Sequence, residues 1–211
     1  TILAPSGKDG ILSRTGRQDA LRAVWAAGVW ALLAAVQLFF LLALVLGIPL
    51  MDALTPAVVS TYANELDSTR ALLVMSILAL VVAVGAVTSA TTGASGAWLA
   101  VAVAAAALPG LAGHSSSLGD HELAITAGVT HMVSAVLWVG GLLALTVHAF
   151  KRDLPMARAV QRFSAIAITA VVLLTASGLA NSYTRLDGLG QFFSTGYGNV
   201  ILIKIGLIVG L

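Results

Sequence analysis

Long uncharged runs constrain this chain more than any other feature. Between Ala23 and Leu46, Ala71 and Val87, Ala97 and Leu111, Leu123 and Phe150, and Phe163 and Ala180 there is no Asp, Glu, Lys or Arg. A further apolar run opens at Asn199. Bilayer hydrocarbon is about 30 Å thick and a helix rises about 1.5 Å per residue, so roughly 20 residues cross it. Barrel strands instead alternate apolar and polar residues, which these runs do not. The expected fold is an all-α, polytopic transmembrane helical bundle of about six spans. The last is truncated, because the stretch from Asn199 to Leu211 is too short to cross, and the chain reads as an excerpt of a longer protein.

Composition sharpens the exclusions. The chain is 59% apolar and 9% charged, whereas soluble domains carry about 25% charged residues, so a soluble enzyme is excluded. A formal net charge of +2 gives nucleic-acid binding no support. There is no cysteine, so any metal chemistry relies on His, Met, carboxylate or backbone. No phosphate loop, nucleophile elbow or His-Glu-x-x-His motif occurs, which argues against a membrane protease or an ATP-driven pump and for a non-enzymatic role.

The Gly/Ser-rich stretch Thr88–Gly96 reads as a turn, and the third run, interrupted by Pro109 and Gly110, is kept as a span. The chain then divides into a leading segment at 1–22, three upstream spans over 23–111, and three more, the last incomplete, over 112–211. Lys8, Arg14, Arg17 and Arg22 lie in the leading segment, which reads as a solvated loop, and Lys151, Arg152, Arg158 and Arg162 lie in the fourth-to-fifth connection. The opposite connections hold Arg70 and Arg185. Basic residues in short loops stay cytoplasmic, so the leading segment is expected inside and the 47–70, 112–122 and 181–198 loops outside.

Three of the four histidines cluster near one outer loop: His114, His121 and, inside the fourth span, His131. A neutral imidazole below a wet loop suits copper, zinc, iron or nickel. Asp120, Glu122 and Met132 are nearby. Asp120 also fits a helix N-cap with Glu122 in the first turn, and His121 fits a solvated loop position. Met132 points about 100° away from its neighbour and reads as packing before ligation. His131 is open to two readings, a metal donor or a histidine bonded to Ser134 or another helix; ionisable groups within spans favour the former. His131, Ser134, Trp138, Gly141 and Leu145 form one helix face suited to close packing. His148, beside Lys151 and Arg152, reads as interfacial.

The other polar features carry weaker signals. A short helix is expected over Pro56–Leu66, with Met51 and Asp52 as loop residues before it. Thr175, Ser177, Gly178 and Asn181 fall level with His131 if the fourth and fifth spans are antiparallel. Lys204 reads as a residue that extends its stem to the interface, and Gly206-x-x-x-Gly210 as a packing motif.

Four motifs together resemble the copper resistance D (CopD) family: Gly113-His114; Thr130-His131 with Leu137-Trp-Val-Gly-Gly141; Arg162-Phe-Ser164; and Gly196-Tyr-Gly198 with Lys204 beyond. The resemblance spans about Leu111–Leu211. The upstream half resembles actinobacterial members in which a CopD-like region is fused to a CtaG-like (cytochrome c oxidase assembly) region. The resemblance implies copper handling at the bacterial inner membrane, beside a periplasmic CopC-like copper-binding partner. It makes His114 and His131 the copper residues and Trp138, Gly140 and Gly141 packing elements. Family members commonly carry a further histidine in an early helix, and the first three spans here have none. The expected path takes copper from an outer donor to His114 with His121 and then to His131. A haem-binding electron-transfer protein and a non-catalytic membrane assembly subunit are the alternatives.

Overall fold

The computed structural model describes residues 9–112, 121–152, 155–183 and 190–209. These form α1 (Arg14–Leu46), α2 (Leu50–Ala53), α3 (Pro56–Glu65), α4 (Asp67–Thr88), α5 (Thr92–Ala112), α6 (His121–Lys151), α7 (Met156–Tyr183), α8 (Gln191–Ser194) and α9 (Gly196–Val209). Among the described residues five helices, α1 and α4 to α7, are long and apolar enough to cross a bilayer. The protein is thus the all-α polytopic bundle that the uncharged runs imply. The short helix expected at 56–66 is α3. The last apolar run becomes α9, which starts three residues earlier than expected because Thr195 caps it, its Oγ1 accepting from the Gly198 amide at 3.0 Å.

α1 also starts earlier than its apolar run. Ser13 accepts from the Gly16 amide at 3.1 Å and satisfies one of the donors that every helix start leaves free. The second half of the leading segment is therefore helix where a solvated loop is expected. Gly47 ends α1 at φ 65°, a left-handed turn that glycine adopts without Cβ strain. Just before α1 the chain pairs with the turn between α4 and α5: Leu12 N–H donates to Ala90 O at 2.9 Å and Thr92 N–H to Gly10 O at 2.9 Å. The start of α1 and the α4–α5 turn accordingly lie on one face of the bundle.

That turn is shorter than the expected Thr88–Gly96. Thr91 Oγ1 accepts from the Ala94 amide at 3.2 Å, so α5 begins at Thr92 and takes Gly93 and Gly96 into its first turns. Pro109 does not end α5 either, although it removes one helical hydrogen bond. Gly110 beside it admits the neighbouring helix, since a Cβ there would stand 3.2 Å from Val129 Cγ2 and 3.3 Å from Met132 Sδ. Met132 thus packs against α5.

Each long helix packs on its neighbour in the series α1–α4–α5–α6–α7. Lipid offers no hydrophobic drive between helices, so association depends on close approach. α1 supplies buried Ala20, Ala27, Ala31 and Ala34 along one stripe, against α4 with Ala71, Ala79, Gly85 and Ala86 buried. Leu38 and Leu42 of α1, Ala53 of α2, and Leu72 and Met75 of α4 continue this contact as the apolar core. Large side chains face outward instead, including Trp25, Leu44 and Phe150.

Two glycines receive aromatic rings. A Cβ at Gly85 would lie 2.1 Å from Trp98 Cε2, and one at Gly141 would lie 2.0 Å from Phe163 Cε2. Gly141→Ala should therefore lower stability by about 1–3 kcal/mol through overpacking. Combined with Phe163→Ala, it should cost less than the two single changes summed, as read by denaturant unfolding in detergent. Strict additivity would show that Gly141 and Phe163 do not meet.

Candidate functional site at the α6–α7 crossing

The expected face of α6 is the one that meets α7. Ser134 is buried at 2% exposure, and Gly141 holds Phe163 of α7. At the end of this contact nearer His121 lies His131, half-buried. Its Nδ1 is 3.2 Å from the Leu174 carbonyl oxygen and 3.3 Å from Ser177 Oγ. Gly178 removes the side chain that would otherwise keep the ring from α7, since a Cβ there would touch Cε1 at 3.4 Å. Ser177 and Gly178 stand level with His131, as antiparallel spans require. The helix bond His131 makes is to α7, not to Ser134.

The network favours one tautomer. Ser177 has one hydroxyl proton, and Leu173 O accepts it at 2.6 Å. A carbonyl only accepts, so the proton between His131 and Leu174 belongs to Nδ1. In the neutral ring Nε2 then keeps its lone pair. Metal-ligating histidines characteristically hold one ring N–H on a carbonyl or carboxylate in this way, which fixes the ring and raises the basicity of the other nitrogen. Nitrogen-15 NMR of histidine-labelled protein should show Nδ1 protonated and Nε2 bare at His131. The opposite tautomer would remove this basis for ligation.

His114 and Asp120 lie outside the described residues. His121 begins α6, ten positions before His131 and so about 15 Å away along the axis. Glu122 is in the first turn of α6, and Met132 is engaged with Gly110. Among the described residues no group of three His, Asp or Glu side chains converges as a metal cage. Met51 is 75% exposed on α2, and Lys204 is exposed on α9.

His148 has a partner that the sequence did not show. It is buried at 2% exposure, and its Nε2 donates to Asp19 Oδ2 of α1 at 3.2 Å. Arg22 Nη1 donates to the other oxygen of the same carboxylate at 2.7 Å. A carboxylate and an imidazole so far apart in sequence meet because α1 starts early enough to put Asp19 inside the bundle. The spacing had a usable signal: one further step of three along the face ending at Leu145 reaches His148. Removing either partner deletes one contact from a largely buried polar cluster. A double-mutant cycle of His148→Ala and Asp19→Asn should give a coupling of about 1 kcal/mol or more; a cycle closing at zero would mean that the contact adds nothing.

The comparisons with known proteins bear on the α7 side of the site. Residues 157–211 match the family described as Copper resistance protein D, a stretch shorter than the resemblance read from the motifs. It includes Leu174, Ser177 and Gly178 but follows His114, His121 and His131. Copper transport protein CutJ of Bacillus subtilis (strain 168) is 35% identical over 102 residues, which cover 46% of this chain and 19% of that protein. The chain spans about a fifth of the length of this curated relative. No solved structure is a significant match.

Proposed function

We infer that this chain, of the CopD family by its residues 157–211, handles copper at a bacterial inner membrane. The observation that carries the reading is the His131 ring, its Nδ1 3.2 Å from the Leu174 carbonyl oxygen, an arrangement that leaves Nε2 for a metal. The role is carriage and not catalysis. Copper is the cargo, taken from the periplasmic side by ligand exchange so that no bare ion meets hydrocarbon. His114 and His121 receive it near the loop and His131 takes it at the mouth of the helix pair. The two positions on α6 are about 15 Å apart along the axis, so on this reading the donor protein spans them. Copper stands high in divalent affinity, which favours delivery by a CopC-like partner over capture of free ion.

Orientation supports this assignment. Arg14 and Arg17 at the start of α1, Lys151 and Arg152 at the end of α6, and Arg158 at the start of α7 share the face that carries residues 9–12. The opposite face has Arg70, paired with Asp67 on the first turn of α4. By the positive-inside rule the basic face is cytoplasmic and His131 lies toward the periplasm. The copper passed on serves resistance or cytochrome c oxidase assembly, the latter if a CtaG-like region accompanies the chain.

A haem reading calls for two histidines facing each other from different helices. His131 and His148 lie on the same helix, seventeen positions and about 25 Å apart, and His148 is engaged with Asp19.

Copper measured by inductively coupled plasma on purified wild type, His131→Ala and His114→Ala tests the site. Wild type should retain copper and both variants should retain less. Equal copper in all three would defeat the assignment.

A further inference from the structure

Two spaces adjoin at Arg22 on the basic face. One is a cleft of about 580 Å³ between the start of α1 and the end of α6, lined by Gln18, Leu21, Arg22, Trp25 and Lys151. The α1 residues stand at i, i+3, i+4 and i+7 and so form one face. Trp25 is 78% exposed, and Lys151 is exposed on the last turn of α6. The other space is a cavity of about 670 Å³ whose walls include Ala23, Ala26, Trp30, Leu143 and Val147. Asp19, Arg22 and His148 also line it.

Depth gives these spaces their meaning. The uncharged run of α1 begins immediately after Arg22, so the cleft sits where hydrocarbon gives way to headgroups. A tryptophan at that level is typical of a membrane interface, and basic pockets between helices at that level bind anionic lipid headgroups. The cleft carries Lys151 and Arg22 among polar and apolar side chains while the cavity beside it is mostly apolar, a pairing that matches an amphiphile and not a free anion. α1 and α6 are also not among the closely packed helix pairs; here they meet through His148 and Asp19.

We propose that this place binds an anionic phospholipid from the adjoining leaflet. The phosphate lies against Lys151 near Arg22, with the Gln18 amide and the Trp25 indole as further donors. One acyl chain enters the alanine-lined cavity. The lipid joins α6 to α1 on the side where they share few contacts, and it acts independently of the copper reading.

Native mass spectrometry of the purified protein, exchanged with equimolar phosphatidylglycerol and phosphatidylcholine, tests the site. Wild type should retain phosphatidylglycerol preferentially. Lys151→Gln should lower that retention about five-fold, the effect of one basic residue at a membrane surface, while Lys151→Arg should preserve it. Arg158→Gln, an exposed basic change on the first turn of α7 away from the cleft, should leave it unchanged. Equal retention in wild type and Lys151→Gln would overturn the proposal, as would an equal loss in Arg158→Gln, which indicates diffuse charge. Displacement of the lipid by equimolar glycerol 3-phosphate would also overturn it, because no chain would then be held.

Discussion

Close approach of helix backbones is the constraint on which the rest of this structure depends. Hydrocarbon satisfies no backbone donor or acceptor, so each crossing segment has to be helical. It also gives apolar side chains no reason to prefer one another over lipid, and dispersion contacts at short range decide which helices meet. The alanine stripe of α1, the ring of Trp98 over Gly85 and the ring of Phe163 over Gly141 are three local solutions to that problem. The exposed Leu, Val and Phe residues on the outer surface are the corollary: they face lipid and need no partner.

Polar contacts then fix what small residues leave free to slide. α6 is tied near one end to α7 through His131 and near the other to α1 through His148. These contacts are far apart along the axis and point to different neighbours, so together they define both the rotation and the height of α6. Gly178 and Gly141 on the α7 side have different tasks in this arrangement. One gives the imidazole room at the backbone, and the other gives an aromatic ring a socket.

Much of this was legible from the sequence because membrane helices follow uncharged length closely. The runs at 71–87 and 163–180 each lie within one observed helix, and the level of Ser177 and Gly178 with His131 follows from antiparallel packing. Helix ends were less legible, because they depend on single caps. Ser13 and Thr91 extend α1 and α5 into segments whose composition suggests loops. The partner of His148 was hidden for the same reason. With α1 starting at the apolar run, Asp19 is a solvated charge, and His148 has nothing to face but Lys151 and Arg152. With α1 starting at Arg14, Asp19 moves into the bundle and a buried partner exists. The ring orientation of His131 had no sequence signal, since it depends on a carbonyl of another helix.

His131 and His148 of α6 differ in the nitrogen each commits to its neighbour. His148 commits Nε2, the nitrogen at the tip of the ring, to a carboxylate that also holds Arg22. A cation arriving there would have to displace that contact and would meet the guanidinium charge. His131 commits Nδ1, the nitrogen nearer its own backbone, and does so to a neutral carbonyl. Its Nε2 therefore lies away from the contact that positions the ring. An imidazole that accepts and releases a metal needs a fixed ring with a lone pair outside the fixing bond. That asymmetry, and not the presence of histidine as such, distinguishes the imidazole proposed as a donor at the α6–α7 crossing from the clamp at the α1–α6 junction.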